Sequence, residues 1–307
     1  MHSACSWPNA VNMLAFGNRT PDGGHIRDAP SPVWTSHLRQ ARQLGFDFAD
    51  PTGRLGSARG VVGRPHRRIP PGVLDGEGLA ISSISMTRSS VVDVANGLRN
   101  LADAHRLIDL APSFGATIVN TGFMQALTPE QAESVWFWLV EGHVDDPALR
   151  DLAVERIREL GDHARANGIQ LSLEMYEDTY VGTPDEAVRF ILDVDHDAVG
   201  LNPDLGNLIR LHRPMPHFSE MYAKVLPHSN FWHIKNYSRD YDPATGVYSS
   251  APLPLKYGYV NYRQMIRLAI ELGYTGPFCC EHYGSDSLGV CAENREYIQQ
   301  VLTSALT

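Results

Sequence analysis

The 307-residue chain contains no apolar run near the ~18 residues that a membrane-spanning helix requires, so no membrane span is expected. Its opening stretch, MHSACSWPNA, has no basic segment followed by an apolar core. No secretion signal is therefore read, and a cytoplasmic location is expected. Cysteine is scarce: Cys5, Cys279, Cys280 and Cys291 are too few and too irregularly placed for a disulfide framework or a CxxC zinc site, and are expected as free thiols. Positive charge is also in deficit. With 26 Lys and Arg against 35 Asp and Glu, the net charge of −9 repels a phosphate backbone. The densest basic cluster, RPHRRIPPG at 64–72, reads as a solvated loop, so nucleic acid is not an expected partner. No composition shift, internal repeat or low-complexity tract divides the chain, and a single domain over 1–307 is expected.

What is present is an alternation of short apolar or β-branched runs with longer segments of helical period, the pattern of βα units around a parallel sheet. Eight runs read as strands: 11–16, 46–51, 79–86, 117–123, 170–176, 198–204, 231–237 and 277–283. Helices are expected near 33–45, 93–115, 147–168, 184–194, 217–227, 262–273 and 290–304, with a weaker one near 57–68. TPDE at 183–186 reads as a helix start, and Gly45, Gly115, Gly168 and Gly273 read as stops. Eight such units point to one α/β fold, a closed (β/α)8 TIM barrel. Three connections, 17–32, 124–146 and 238–261, are longer than a barrel needs. Each follows a strand and precedes a helix, which places it at the C-terminal face where barrels of this kind build their sites.

The stretch LSLEMYEDTY at 171–180 puts a carboxylate, Glu174, inside an apolar strand. An isolated buried carboxylate is costly, so Glu174 needs a partner. Side chains alternate across a strand, and parity supplies one. If Leu171, Leu173 and Met175 face the helices, Ser172, Glu174 and Tyr176 face the barrel axis. The same argument turns Gly200, Asn202 and Asp204 inward on the sixth strand, His233 and Lys235 on the seventh, and Cys279 and Glu281 on the eighth. Taken singly, each carboxylate reads as a salt-bridged core group and His233 as a satisfied core histidine. Taken together, Glu174, Asp204, His233 and Glu281 converge at consecutive strand ends, where three carboxylates repel unless a cation joins them. Oxygen ligands with one imidazole suit Mn²⁺, Mg²⁺, Co²⁺ or Zn²⁺.

At LSLEMY, GLNPDLGNL, FWHIKN and FCCEHYG the sequence resembles the xylose isomerase-like barrels, the sugar phosphate isomerase/epimerase family, over nearly its whole length. The resemblance implies a divalent ion, commonly Mn²⁺, held by Glu174, Asp204, His233 and Glu281, and keto-sugar or polyol substrates. It further implies that Glu174 and Glu281 exchange a proton next to a carbonyl through an enediolate, while Asp204 and His233 anchor the ion. Many relatives have a histidine three residues after the sixth-strand aspartate, where this chain has Asn207. The 238–261 insertion is longer than in simple epimerases, which argues for a bulkier substrate or a partner surface.

The leading expectation is a metal-dependent isomerase or epimerase of a keto sugar. Its rival is a lyase that expels the aglycone from an oxidised glycoside, as in the similar 3-oxo-glucoside C-glycoside deglycosidases, which act with a small second subunit; an inosose-type dehydratase belongs to the same group. An abasic-site endonuclease on this barrel would need further histidines and a basic DNA face, which the acidic balance opposes. By analogy a homo-oligomer is expected. Lys235 pairs with a ligand carboxylate or holds a substrate oxygen, and Asn207, Arg88 and Asn120 are candidate substrate contacts. His143 is either a further general base or a solvated loop residue. Trp136 and Trp138 stack on a sugar or pack a short helix.

Overall fold

The computed structural model describes residues 2–16, 31–51, 79–284 and 286–306. The loop at 17–30, the weak helix near 57–68 and the basic cluster at 64–72 lie outside them. Eight strands line the barrel: β1 (Asn9–Asn12), β2 (Phe48–Asp50), β3 in two pieces (Ala80–Ile81 and Ser83–Ser85), β4 (Ile118–Thr121), β5 (Gln170–Glu174), β6 (Val199–Asn202), β7 (Trp232–Ile234) and β8 (Phe278–Cys280).

Their ladders form two arcs. One runs from the first piece of β3 through β2, β1 and β8 to β7, and the other from the second piece of β3 through β4 and β5 to β6. Every pairing within the arcs is parallel. At Ser82, between the pieces of β3, the backbone N–H donates to Ala49 while the carbonyl accepts from Thr117, so β3 belongs to both arcs. The other seam, between β6 and β7, is closed by a bridge from Leu201 to Ser229, a hydrogen bond from Asn230 N–H to the Leu201 carbonyl (3.1 Å), and a side chain: Asn202 Oδ1 accepts the His233 N–H at 2.8 Å.

The helices are α1 (Ser31–Gln43), α2 (Gly97–Leu110), α3 (Arg150–Ala166), α4 (Pro184–Val194), α5 (Phe218–Val225), α6 (Tyr262–Glu271) and α7 (Ser287–Ala305). The TPDE start works as expected, because Thr183 Oγ1 caps the Glu186 N–H and accompanies Pro184 at the first helical position. All four expected glycine stops adopt a left-handed φ, between 69° and 87°, which a side chain would resist. α2 is shorter than the expected 93–115, since Pro112 turns its last residues into a 3₁₀ segment at Ala111–Phe114.

The first strand also differs, lying at 9–12 rather than 11–16. Asn12 Oδ1 accepts the Leu14 N–H (3.0 Å), and this turn diverts the apolar residues Met13–Phe16 into a 3₁₀ helix. The 238–261 connection contains a hairpin, Asp240–Asp242 with Val247–Ser249, and its Pro252–Leu253 returns to pair with Asn236–Tyr237. The 124–146 connection contains a short helix, Pro129–Glu133, and a 3₁₀ turn, Phe137–Leu139.

Two apolar clusters confirm the alternation of the strands. Leu171, Leu173, Leu201, Trp232, Ile234, Phe278 and Cys280 belong to the large cluster shared with the helices. Ala10, Ile118, Phe231 and Cys279, with Phe48 against them, form a separate small cluster. That plug fills the lower barrel. Above it the interior is polar.

Candidate metal centre

The strand ends bring Glu174, Asp204, His233 and Glu281 together, each at most 5% exposed. Ligand atoms of Glu174, Asp204 and His233 lie within 4.8 Å of one another. Glu281 joins through His233: its Oε2 is 3.7 Å from His233 Nδ1, and Glu174 Oε2 is 3.5 Å from the same atom. The two glutamates therefore flank one imidazole nitrogen. Two atoms of this set, Asp204 Oδ1 and His233 Nδ1, are buried without a hydrogen-bond partner. Buried polar atoms are nearly always paired, so two orphans aimed at one small volume fit a cation there. The donor set of carboxylate oxygens and one imidazole fits a divalent ion.

The surrounding side chains fix these four. His233 Nε2 lies 3.1 Å from Asp50 Oδ2, and a carboxylate there accepts the Nε2–H and leaves Nδ1 to face the cluster. Asp50 is itself held by Asn12 Nδ2 (3.0 Å) and Ser85 Oγ (2.8 Å). Asn120 donates to Glu174 Oε2 (3.0 Å), and Asn207 reaches Glu174 Oε1 (3.2 Å) and Asp204 Oδ2 (3.1 Å). Both amides thus grip carboxylates of the cluster. Lys235 Nζ bridges two of these carboxylates, Asp204 Oδ2 (2.7 Å) and Glu281 Oε2 (2.8 Å).

Charge sets the protonation of this cluster. Burial pushes the Glu174 carboxyl up, but the nearby His233, the charge of Lys235 and the hydrogen bond from Asn120 outweigh it and bring it down to about 2. Burial likewise opposes ionisation of Glu281, yet Lys235 and His233 hold it below the usual carboxylate range. Asp204 goes the other way, raised to about 7 by burial, with Glu281 and Glu174 adding to the effect against Lys235. Burial works against a charged His233, and Asp50, Cys279 and the nearby Glu174 charge overcome it, so its pKa stands well above the ordinary value. A proton and a cation compete for Nδ1.

Asp50 was not among the residues the sequence singled out. In FDFADP, Asp50 shares parity with Phe48, which packs on the interior plug, and so turns inward with it. Asp50→Asn keeps the shape but removes the charge behind the imidazole. The expected result is metal affinity weakened by about 10- to 100-fold, read by calorimetric titration with Mn²⁺.

Outside the cluster lies an aromatic roof. Trp138 stacks on Trp136 (centroids 4.8 Å apart) and packs against Tyr237 and Tyr283; the Tyr283 ring sits 5.2 Å from Lys235 Nζ. Beneath Trp138 and Phe137 is a second pair the sequence did not reveal: Arg210, fully buried, donates from Nη2 to both oxygens of Glu177 (2.9 and 3.0 Å). These partners are 33 residues apart with no motif between them.

A cavity of about 370 Å³ opens beyond the roof at the strand-end face. Trp138, Tyr176, Arg88, Gln125 and His143 line it, whereas the four candidate ligands do not. His143 is in contact with Gln125 Nε2 and lies 3.3 Å from Asp145 Oδ1. It belongs to the cavity wall, and no hydrogen bond or ion pair joins it to the carboxylate cluster. Arg88, just past β3, reaches Tyr176 and the Gln125 carbonyl. His282 is buried next to Glu281, and burial lowers its pKa. No helix among the described residues is long and apolar enough to cross a membrane.

A protein from Mycobacterium smegmatis, solved in complex with magnesium and described as a xylose isomerase-like TIM barrel protein, is 78% identical over the whole of both chains, with a TM-score of 0.91. L-ribulose 3-epimerase shares the fold at 12% identity, covering 98% of this chain and 96% of its own, with a TM-score of 0.70. 3-keto-D-glucoside 4-epimerase from E. coli does so at 12% identity, covering 96% and 99%, with a TM-score of 0.64. No curated protein matches the sequence. The family model for the xylose isomerase-like TIM barrel matches residues 38–303. With that match spanning most of the chain and the expected strand ends meeting in the barrel mouth, the protein belongs to the xylose isomerase-like TIM barrel family.

Proposed function

We propose that the protein is a divalent-cation-dependent isomerase or epimerase of a keto sugar, in which Glu174 and Glu281 move a proton at a carbon next to a carbonyl. The observation that carries this reading is the placement of these two buried carboxylates on either side of His233 Nδ1, at 3.5 and 3.7 Å. Glu174, Asp204, His233 and Glu281 would hold the ion. When bound, it supplies charge stabilisation to the oxygen of a carbonyl that is being converted to an enediolate.

The remaining work falls to the chain. Asn120 and Asn207 fix the Glu174 carboxylate in place, and its low pKa keeps it deprotonated as a base. Glu281 is oriented by Lys235, whose ammonium holds the opposite side of the cluster. Tyr237, Tyr283 and Trp138 pack as an aromatic wall on one side of the site. The magnesium complex of the 78% identical protein supports a hard divalent ion; Mn²⁺, expected from the resemblance, has the same ligand preference.

The test has two parts. After incubation with Mn²⁺ or Mg²⁺ and desalting, elemental analysis should find about one ion per chain, and the loaded protein in D₂O should place deuterium beside the carbonyl of a ketose. Protein that retains neither ion would remove the basis of the reading. A second reading, elimination from a 3-keto glycoside, is favoured by the 370 Å³ cavity next to the roof, which offers room for a departing substituent, with His143 in its wall as the further base. Release of an aglycone during the same incubation selects elimination; exchange without release selects isomerisation.

A further inference from the structure

The cavity beyond the roof contains a cation, Arg88, with no counter-ion among the described residues. Arg88 follows β3 with φ of +53°, a left-handed conformation that a long side chain rarely adopts and that the surroundings must hold in place. Its guanidinium lies 4.9 Å from the Phe137 ring, with Nη1 donating to the Gln125 carbonyl (3.0 Å) and Nη2 to the Tyr176 hydroxyl (3.3 Å). Both acceptors are neutral. Two neighbouring arginines are matched, Arg210 with Glu177 and Arg213 with Asp178 (2.8 Å), while Arg239, behind Leu211, donates to backbone carbonyls. Among the described residues no carboxylate is within ion-pair distance of Arg88, although it is half-buried. Removing a charge from water without a partner is unfavourable, and a planar guanidinium is suited to two oxygens of one acid group.

Tyr176 completes the arrangement. Its oxygen accepts from Arg88, and its own hydrogen has no acceptor among the described residues. A guanidinium and an O–H therefore face the same cavity. Tyr176 is two residues past Glu174, roughly 7 Å along the strand, which is about the reach of a six-carbon chain. One end of such a molecule at the carboxylate cluster leaves its other end at Arg88.

We infer that the substrate carries an acid group, a carboxylate or a phosphate, and that Arg88 and Tyr176 receive it. This rests on the keto-sugar reading for the identity of the rest of the molecule, but the acid subsite is tested separately. The probes are D-glucitol, D-gluconate and D-glucitol 6-phosphate, which have no carbonyl and are not turned over. Calorimetric titration into the Mg²⁺-loaded protein should show at least one acid binding tenfold or more tighter than glucitol, and the acid that does so identifies carboxylate or phosphate as the group. Arg88→Asn places a residue tolerant of positive φ at this position and should abolish the difference with the melting temperature held. Arg88→Lys should retain part of it.

Equal affinity for the three probes, failure of both acids to bind, or a preference that survives in Arg88→Asn would overturn the inference. If Arg88→Asn does not fold, the wild type and Arg88→Lys decide by the same comparison. Acid preference without deuterium exchange on any ketose would discard the proposed reaction and keep the subsite. Exchange on neutral ketoses without acid preference would do the reverse.

Discussion

Glu174→Gln and Glu281→Gln are each expected to slow deuterium exchange beside the ketose carbonyl by about 100- to 10,000-fold, the span that a positioned acid or base contributes. The substitutions keep the size of the side chain and one oxygen in place. At position 281, Lys235 retains Asp204 as its partner, and at 174 one of the two amides, Asn120 or Asn207, still meets a carbonyl oxygen while the other loses its acceptor. The fold should therefore persist, and because a ligand charge is lost, the exchange rate is compared at saturating Mn²⁺. Measuring fold and metal content with the exchange rate separates a lost proton carrier from a lost ion: exchange that stays within a few-fold of wild type in metal-loaded Glu174→Gln and Glu281→Gln would remove these residues from the chemistry.

Arg210→Met is expected to lower stability by about 3–5 kcal/mol, because it leaves Glu177 buried without its partner. The guanidinium also lies about 5 Å from the Phe137, Trp138 and Tyr176 rings, so the roof loses a contact on its inner side. Arg210→Met combined with Glu177→Leu removes both charges and should recover much of the loss, since a paired buried ion contributes far less than breaking it costs. Urea unfolding of the two variants is the measurement. Equal stability of Arg210→Met and wild type would mean that Glu177 finds water or another donor.

What the sequence disclosed follows from the regularity of strands. Wherever the outward face was apolar, as in β5, β6, β7 and β8, alternation alone delivered Glu174, Asp204, His233, Lys235 and Glu281 to one interior. It was not read for β2, where both faces are apolar: Phe48 belongs to the interior plug, and Asp50, which sits behind His233, faces inward with it. The start of β1 was misplaced because a single side-chain hydrogen bond from Leu14 to Asn12 outweighed an apolar run. Arg210 and Glu177 were invisible because their pairing depends on two loops meeting, which no local spacing encodes. Asn120 and Asn207 were legible as polar groups near the site, but their grip on the ligand carboxylates required the coordinates.

The division of the ladders into two arcs bears on more than shape. Glu174 and Asp204 come from one arc, His233 and Glu281 from the other, and the seam between them is fastened partly by the Asn202 amide instead of a full run of backbone bonds. An ion held by all four, as proposed, would act as a rivet through that joint and would couple its occupancy to the opening of the barrel wall. On that reading, emptying the centre would loosen the cylinder along the line where its halves meet.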